Sequence, residues 1–279
     1  MTIRIVTDST SDFPADMAAE LKVSIVPLSV IFGDEVLQEG RDISHDQFYE
    51  RLVREKIAPT TSAPSVGDFL EVYEPLLKET NEIVSIHLSS KLSATYNNAC
   101  QAARQLSDQG AIIEVIDTQS LSFGVTFMAA AAARAAMNGA ALEEIKQSVH
   151  SMMSRVRILI ALDTLEYLRR GGRIGRARAF LGAVMRVKPL LSIRDGEVHP
   201  EERVRTKKLA VERLFQIVTS YRAQEVAVGY STNKQEADDL RIRLAEALPG
   251  VTTYLQELGP VLGVHGGPGT LGIGVLEGE

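Results

Sequence analysis

"EIVSIHLSSKLSATYNNACQAARQL", Glu82 to Leu106, decides how the chain is read. It opens on a mostly apolar run with several β-branched side chains, the pattern of a strand buried in a sheet. From Ser93 onward the composition turns helical, free of glycine and proline. Between the two, Ser89, Ser90 and Ser93 crowd the turn. A strand that feeds directly into a helix is half of a β–α–β unit, and such units build parallel sheets.

The same alternation extends in both directions. Upstream, "IRIVT" is a strand candidate, and "DSTSDFPADMAAEL" is a helix with Asp12 as its cap and Pro14 near the first helical position. "VSIVPLSVIF" is an extended run, "SHDQFYERLV" a helix capped by Ser44, and "SVGDFLEVYEPLLKE" another helix. Downstream come the strand "AIIEVID" and two alanine-rich helices from about Phe123 to Met153. The second half begins with "RVRILIAL" and short helices around "RRGGRIGRARAFLGAV". The extended runs "KPLLSIRDG" and "EVHPEERVR" then meet at Asp195-Gly196, a hairpin turn. Two helices and three strands complete it. The expectation is an α/β protein of two domains, 1–155 with a parallel sheet and 156–279 with a mixed one.

The composition narrows the function. The 279 residues are 45% hydrophobic and 24% charged, with 5% aromatics, no tryptophan and a net charge of −6. Scarce aromatics and an acidic balance argue against a nucleic-acid partner. The single cysteine, Cys100, excludes an internal disulfide and any cysteine-pair metal site. "FGVTFMAAAAARAAM" is too short, and carries Arg134, so no membrane insertion is expected. The opening "MTIRIVTDSTSD" meets an aspartate too early for a secretory signal, which leaves the cytoplasm as the expected location.

Near the end stands "VHGGPGTLGIG", Val264 to Gly274, where Gly267, Gly269 and Gly272 spell GxGxxG. A dinucleotide turn needs a following helix and an acidic residue about 20 positions on. Only seven residues follow Gly272, and they are extended in character. The HGG element of an esterase would require a G-x-S-x-G elbow, and none occurs; a Walker A loop is also absent. What remains is His265 among small residues, in a turn where backbone can approach a ligand group closely. The alternative is a histidine hydrogen-bonded for structure alone.

Hydroxyls gather at two junctions, "TTSAPS" (Thr60–Ser65) and "HLSSKLSATY" (His87–Tyr96). Ser65 suffices as a helix cap, but each cluster holds more hydroxyls than a cap requires. The carboxyl ends of parallel strands are where such sheets bind ligands, and helix N-termini there favour an anion. With these segments in order, the chain resembles the DegV family of fatty-acid-binding proteins, acyl carriers for bacterial fatty acid kinase. "IVTDSTSDFP" opens the resemblance; "TTSAPS" is similar to the family's TSQPS and "LSSKLSATY" to its SSxLSGTY. "VIDTQSLSFG", the GGRI of "LEYLRRGGRIG" and the H-x-GPG of "HGGPGTLGIG" complete it. Ala63 stands where the family has glutamine, and Ala94 where it has glycine.

The resemblance implies a DegV-like fold with a long-chain fatty acid buried between the domains, its carboxylate at the polar end of a closed tunnel. Carried onto this chain, the head-group ligands are Thr61, Ser93 and His265, with Ser62, Gly266 and Gly267 beside them. Hydroxyls and an imidazole, in place of an arginine pair, would leave the carboxylate reactive. The tunnel walls are expected from Phe123–Met137 and from Phe180–Met185. The resemblance further implies a non-enzymatic carrier without cofactor, serving phospholipid metabolism, whose partner is the catalytic subunit of a fatty acid kinase. Its docking face would be Arg169, Arg170, Arg173 and Arg203, with Arg176, Arg178 and Arg205 near it. Arg173, directly after Gly171-Gly172, is expected to project outward. The alternative is an acyl hydrolase or acyltransferase using Ser93 and His265.

Overall fold

The computed structural model describes residues 3–55, 58–181 and 187–278. Chain order begins β1 (Arg4–Asp8), a 3-10 turn (Ser9–Ser11), α1 (Ala15–Glu20), β2 (Val23–Val26), β3 (Ser29–Phe32), β4 (Glu35–Gln38), α2 (His45–Arg54) and β5 (Thr60–Ser62). It continues with α3 (Val66–Leu76), β6 (Glu82–His87), α4 (Thr95–Ser107), β7 (Ile112–Asp117), α5 (Phe123–Met137) and α6 (Leu142–Met153). The second half holds β8 (Val156–Ala161), α7 (Glu166–Gly171), a 3-10 helix (Gly175–Phe180), β9 (Lys188–Arg194), β10 (Glu197–Val204) and α8 (Lys207–Thr219). It ends with β11 (Ala223–Tyr230), α9 (Lys234–Ala247), β12 (Thr252–Glu257), α10 (Pro260–Gly266) and β13 (Leu271–Glu277).

The expected parallel sheet is present, four strands in the order β2-β1-β6-β7. The second is mixed, six strands in the order β10-β9-β8-β13-β11-β12, parallel only between β11 and β12. A third sheet, β4-β3-β5, was not foreseen. "VSIVPLSVIF" is two strands in two sheets, because Pro27 interrupts it and supplies no N–H for a ladder. Thr60–Ser62, expected as a junction, is the antiparallel edge strand β5, in register Val30↔Thr61. Ser44 and Ser65 do cap α2 and α3, each in a reciprocal capping box.

Asp12 does not cap α1, whose N-cap is Pro14. It lies beyond the 3-10 turn in the left-handed region, φ 51°, and its carboxylate accepts from Ser122 Oγ at 2.6 Å and from Gly259 N–H at 2.9 Å. A tertiary role has displaced the local one.

The helix α5 shows what its alanines are for. It is buried along nearly its whole length, packed between β1, β13 and α6, so small side chains permit close approach. At its start, Phe123 lies on glycines of the mixed sheet. A Cβ at Gly274 would stand 2.4 Å from Phe123 Cβ, and one at Gly229 would stand 2.3 Å from Phe123 Cζ. The glycines of "TLGIG" are thus a seat for an aromatic ring. Hairpin β9–β10 fastens the two larger sheets: Asp195 (φ 49°) and Gly196 (φ 76°) make the turn, and Ser89 Oγ donates to Gly196 O at 2.8 Å.

Candidate functional site

Between the sheets lies a cavity of about 250 Å³ with a mainly apolar lining. The turn after β6 contributes Leu88, Leu92, Ser93 and Ala94; the approach to α5 contributes Leu121, Ser122 and Phe123. Ile158 and Ile160 of β8 form another wall, and Val261, Leu262 and His265 of α10 close it. Of the residues expected as walls, α5 supplies only Phe123, Phe180 is not in the lining, and 182–185 lie outside the described residues. The rest of α5 is committed to packing.

His265 is not in a glycine loop. It occupies the last turn of α10, a helix hidden in "GPVLGVHGG" because it is only seven residues long and bounded by glycines. Gly267, at φ 76°, ends the helix by donating to Gly263 O at 2.8 Å, and a Cβ there would strike the Tyr167 ring at 2.2 Å. α10 packs on α2 and the small sheet, with Val261 and Val264 among Phe48, Tyr49 and Leu52. This contact brings His265 to β5: its Nε2 lies 3.1 Å from Thr61 Oγ1, across 204 positions of sequence.

A count of donors separates the polar groups of the lining. Thr10 donates to Asp8, Tyr49 to Leu258 O, Ser122 to Asp12, and Thr270 to Gly267 O. Those hydroxyl protons are committed. Thr61 and His265 pair with each other, and Ser93 Oγ pairs with Thr95 Oγ1 at 2.8 Å, where either atom can donate. The Thr61–His265 pair therefore keeps one proton for a guest, the Ser93–Thr95 pair another, and Arg173 retains N–H donors beyond its two backbone bonds. Gly266 also borders the cavity, whereas Ser62 does not; its hydroxyl turns to Ala63 O at 3.1 Å. Ala63 and Ala94 both line the space.

Burial, with the nearby Arg173 charge adding to it, lowers the His265 pKa from 6.5 to about 4. The imidazole is therefore neutral at neutral pH. Among the described residues its Nδ1 has no hydrogen-bond partner; it faces Gly171, where a Cβ would intrude to 2.1 Å. The ring, with Thr61 and Gly171, also borders a second hollow of about 280 Å³, lined by Tyr167, Arg170 and Arg173. His265, Thr61 and Arg173 thus border both the apolar interior and this vestibule of mixed polarity.

Arg173 does not simply project outward. Its guanidinium donates to Leu92 O at 3.3 Å and Gly171 O at 2.8 Å, and it borders both spaces. The polar end is consequently not free of arginine. Arg169 and Arg170 both bond Glu166, at 2.9 and 2.8 Å, and Arg170 lines the vestibule. Arg176 pairs with Glu197 at 3.4 Å, and Arg203 lies 4.8 Å over the Phe180 ring, in neither space.

Ser93 and His265 share no hydrogen bond, and among the described residues no carboxylate orients His265. The hydrolase geometry is not assembled there. A Ser-His-Asp chain does occur elsewhere: Ser85 Oγ to His87 Nε2 at 2.7 Å, and His87 Nδ1 to Asp8 Oδ2 at 2.9 Å. It is fully buried and capped by Tyr73 Oη at 2.7 Å from Ser85, so it serves as a structural relay. Asp8 also accepts from Leu88 N–H and Thr10 N–H, which fixes the cavity floor. Among the described residues there is no cluster of three or more metal-ligating side chains, and no helix is long and apolar enough to cross a membrane.

The architecture is a three-sheet α/β protein that encloses an apolar cavity with one hydrogen-bonding end. The chain belongs to the DegV family, whose model, described as "Uncharacterised protein, DegV family", matches residues 2–278. It is similar to a DegV domain-containing protein of Clostridium acetobutylicum, 37% identical over 98% of this chain and 97% of that one. Among solved structures, a fatty-acid-binding DegV family protein of Thermus thermophilus is 35% identical, covered over 99% of this chain and 100% of that one, with a TM-score of 0.90. A stearic acid-binding protein of Eubacterium ventriosum is 28% identical over 99% of this chain and 98% of that one, with a TM-score of 0.92.

Proposed function

We propose that this protein is a cytoplasmic fatty acid carrier for phospholipid metabolism. It takes a long-chain fatty acid into the cavity, presents the carboxylate to a separate ATP-dependent fatty acid kinase, and holds the acyl phosphate. The observation that carries this reading is the donor set: the Thr61–His265 pair, Ser93 and Arg173 retain free protons on the lining of an otherwise apolar space. A carboxylate leaving water needs such donors. His265 Nε2–H donating to Thr61 Oγ1 frees the threonine proton for one carboxylate oxygen, and Ser93 serves another lone pair.

The tail supplies the affinity. Some fourteen methylenes at about 0.8 kcal/mol each give roughly 11 kcal/mol before ordering costs. The head group needs only to be placed, by the hydroxyls, the neutral imidazole and the Arg173 guanidinium that borders the same space. The vestibule outside His265, with Arg170 and Arg173, is suited to a transferred phosphoryl group and to the kinase face that delivers it. Gly267 shapes this end through its contact with Tyr167, and Arg169 and Arg203 are outlying members of the docking face.

Organic extraction of protein purified from a bacterial host, followed by mass spectrometry, is expected to yield a stoichiometric long-chain fatty acid. Absence of lipid, together with no uptake of added oleate or palmitate, would overturn the carrier reading.

A further inference from the structure

Two carboxyl groups outside the cavity lining meet at the start of α10. Asp12 Oδ1 accepts from Gly259 N–H at 2.9 Å, and Glu39 Oε1 accepts from Val261 N–H at 2.8 Å. Both crowd the same point: a Cβ at Gly259 would stand 2.4 Å from Glu39 Oε1 and 2.9 Å from Asp12 Oδ1. Among the described residues, Glu39 Oε2 is buried with no hydrogen-bond partner. Among the described residues no arginine, lysine or histidine forms an ion pair with either carboxyl group. The other groups facing them are the Asp8 carboxylate on β1, the Ser9 and Ser122 hydroxyls, and the Tyr49 phenol on α2. Burial pushes that phenol up, so it stays neutral; beyond it lie His45 and Glu257.

We propose that Asp12 and Glu39 form a proton-holding clasp that fastens the start of α10, and with it His265 and one cavity wall, to the N-terminal sheets. The N–H groups of Gly259 and Val261 favour one ionised carboxylate, while the shared, enclosed position disfavours a second. Burial, then the neighbouring charge, raises Asp12 well above its ordinary range; burial raises Glu39 from 4.5 to about 7. A raised acid binds its proton more tightly in the closed form than in an open one. The clasp is therefore tightest at the acid end, loosens as pH rises from about 4.5 to 7, and stays loosened above that. Opening would let water reach the second charge and part α10 from the cavity. The consequence for lipid release rests on the carrier reading above; the clasp itself does not.

The test is hydrogen exchange of the Gly263 and Gly267 amides in lipid-free protein, alongside the dissociation rate of a fluorescent long-chain fatty acid. His265 rides on α10 and its lowered pKa favours opening at the acid end, so the profile is read in His265→Asn. There the opening constant, after correction for intrinsic exchange, should rise on the order of fifty-fold between pH 5 and pH 8. Glu39→Gln keeps the acceptor for Val261 and cannot ionise, so its rise should be below about three-fold. Asp12→Asn suits the left-handed backbone, and because the Glu39 charge raises Asp12 and not the reverse, it should leave the Glu39 response in place. In that background, a pH response retained on adding Glu39→Gln, or a flat profile without it, would overturn the clasp. If Glu39→Gln does not fold, loss of the response on adding Asp12→Asn would overturn it equally. Loss of lipid binding with the exchange response intact would count against the carrier reading alone.

Discussion

Gly171→Ala is the sharpest probe of the head-group end, because it acts on His265 without removing it. Gly171 closes α7 at a backbone conformation open to any residue, and alanine favours a helix by about 1 kcal/mol over glycine. A poorer helix therefore cannot explain a loss of function. The added Cβ would lie 2.1 Å from His265 Nδ1 and 2.7 Å from Cε1. Ordinary contact begins near 3.4 Å, so the ring must retreat by about 1.3 Å. With Nε2 only 3.1 Å from Thr61 Oγ1, a displacement of that size breaks the hydrogen bond. The lost head-group interaction is worth about 1–3 kcal/mol, roughly five- to 150-fold in Kd for a fatty acid. The tail contribution is untouched, so a fatty alcohol of equal length should bind almost as before. Displacement titrations with the matched acid and alcohol measure the ratio directly. A variant that still favours the acid by the wild-type factor would refute the placement of the carboxylate beside His265.

The remaining expectations concern protons and docking. His265 has a folded pKa near 4 against an ordinary 6.5, so its contribution to stability is complete above about pH 6.5 and is lost as pH falls toward 4. Melting curves across that window should show the loss in wild type and not in His265→Asn. A bound carboxylate should raise the same pKa, so calorimetry at pH 5.5 in two buffers should detect uptake of nearly one proton, abolished in His265→Asn. Arg170→Glu reverses a vestibule charge that borders no part of the cavity; it should slow acyl phosphate formation by the kinase roughly three- to ten-fold and leave lipid affinity unchanged. Equal rates at physiological salt would remove Arg170 from the docking face.

The strand–turn–helix units were legible because they are local. Glu82–His87 and Thr95–Ser107 carry their structure in composition, and Ser44 and Ser65 cap helices with partners three residues away. Asp195-Gly196 announced its hairpin through residues that tolerate positive φ. Hydroxyl clusters and a histidine among glycines stand out in sequence, but Thr61, Ser93 and His265 could be singled out as candidate ligands only through the resemblance to the DegV motifs. α10 was missed because seven residues between glycines offer no periodicity to detect. That α5 lends the cavity only Phe123 is not legible in its composition, because a small side chain looks the same whether it faces a cavity or a neighbouring helix.

What the sequence by itself determined is therefore the alternation of elements, the parallel sheet and the identity of the polar residues, all of which depend on near neighbours. The tertiary structure alone decided that β5 and α10, some 200 positions apart, place Thr61 against His265 at 3.1 Å. It also decided that Arg173 turns back to the cavity rim, and that Asp12 leaves its expected cap to meet Glu39 at Gly259. The reason is physical: capping, turns and propensity act within a few residues. Which hydroxyl keeps its proton and which carboxyl loses its water depend on packing between segments that no local pattern links.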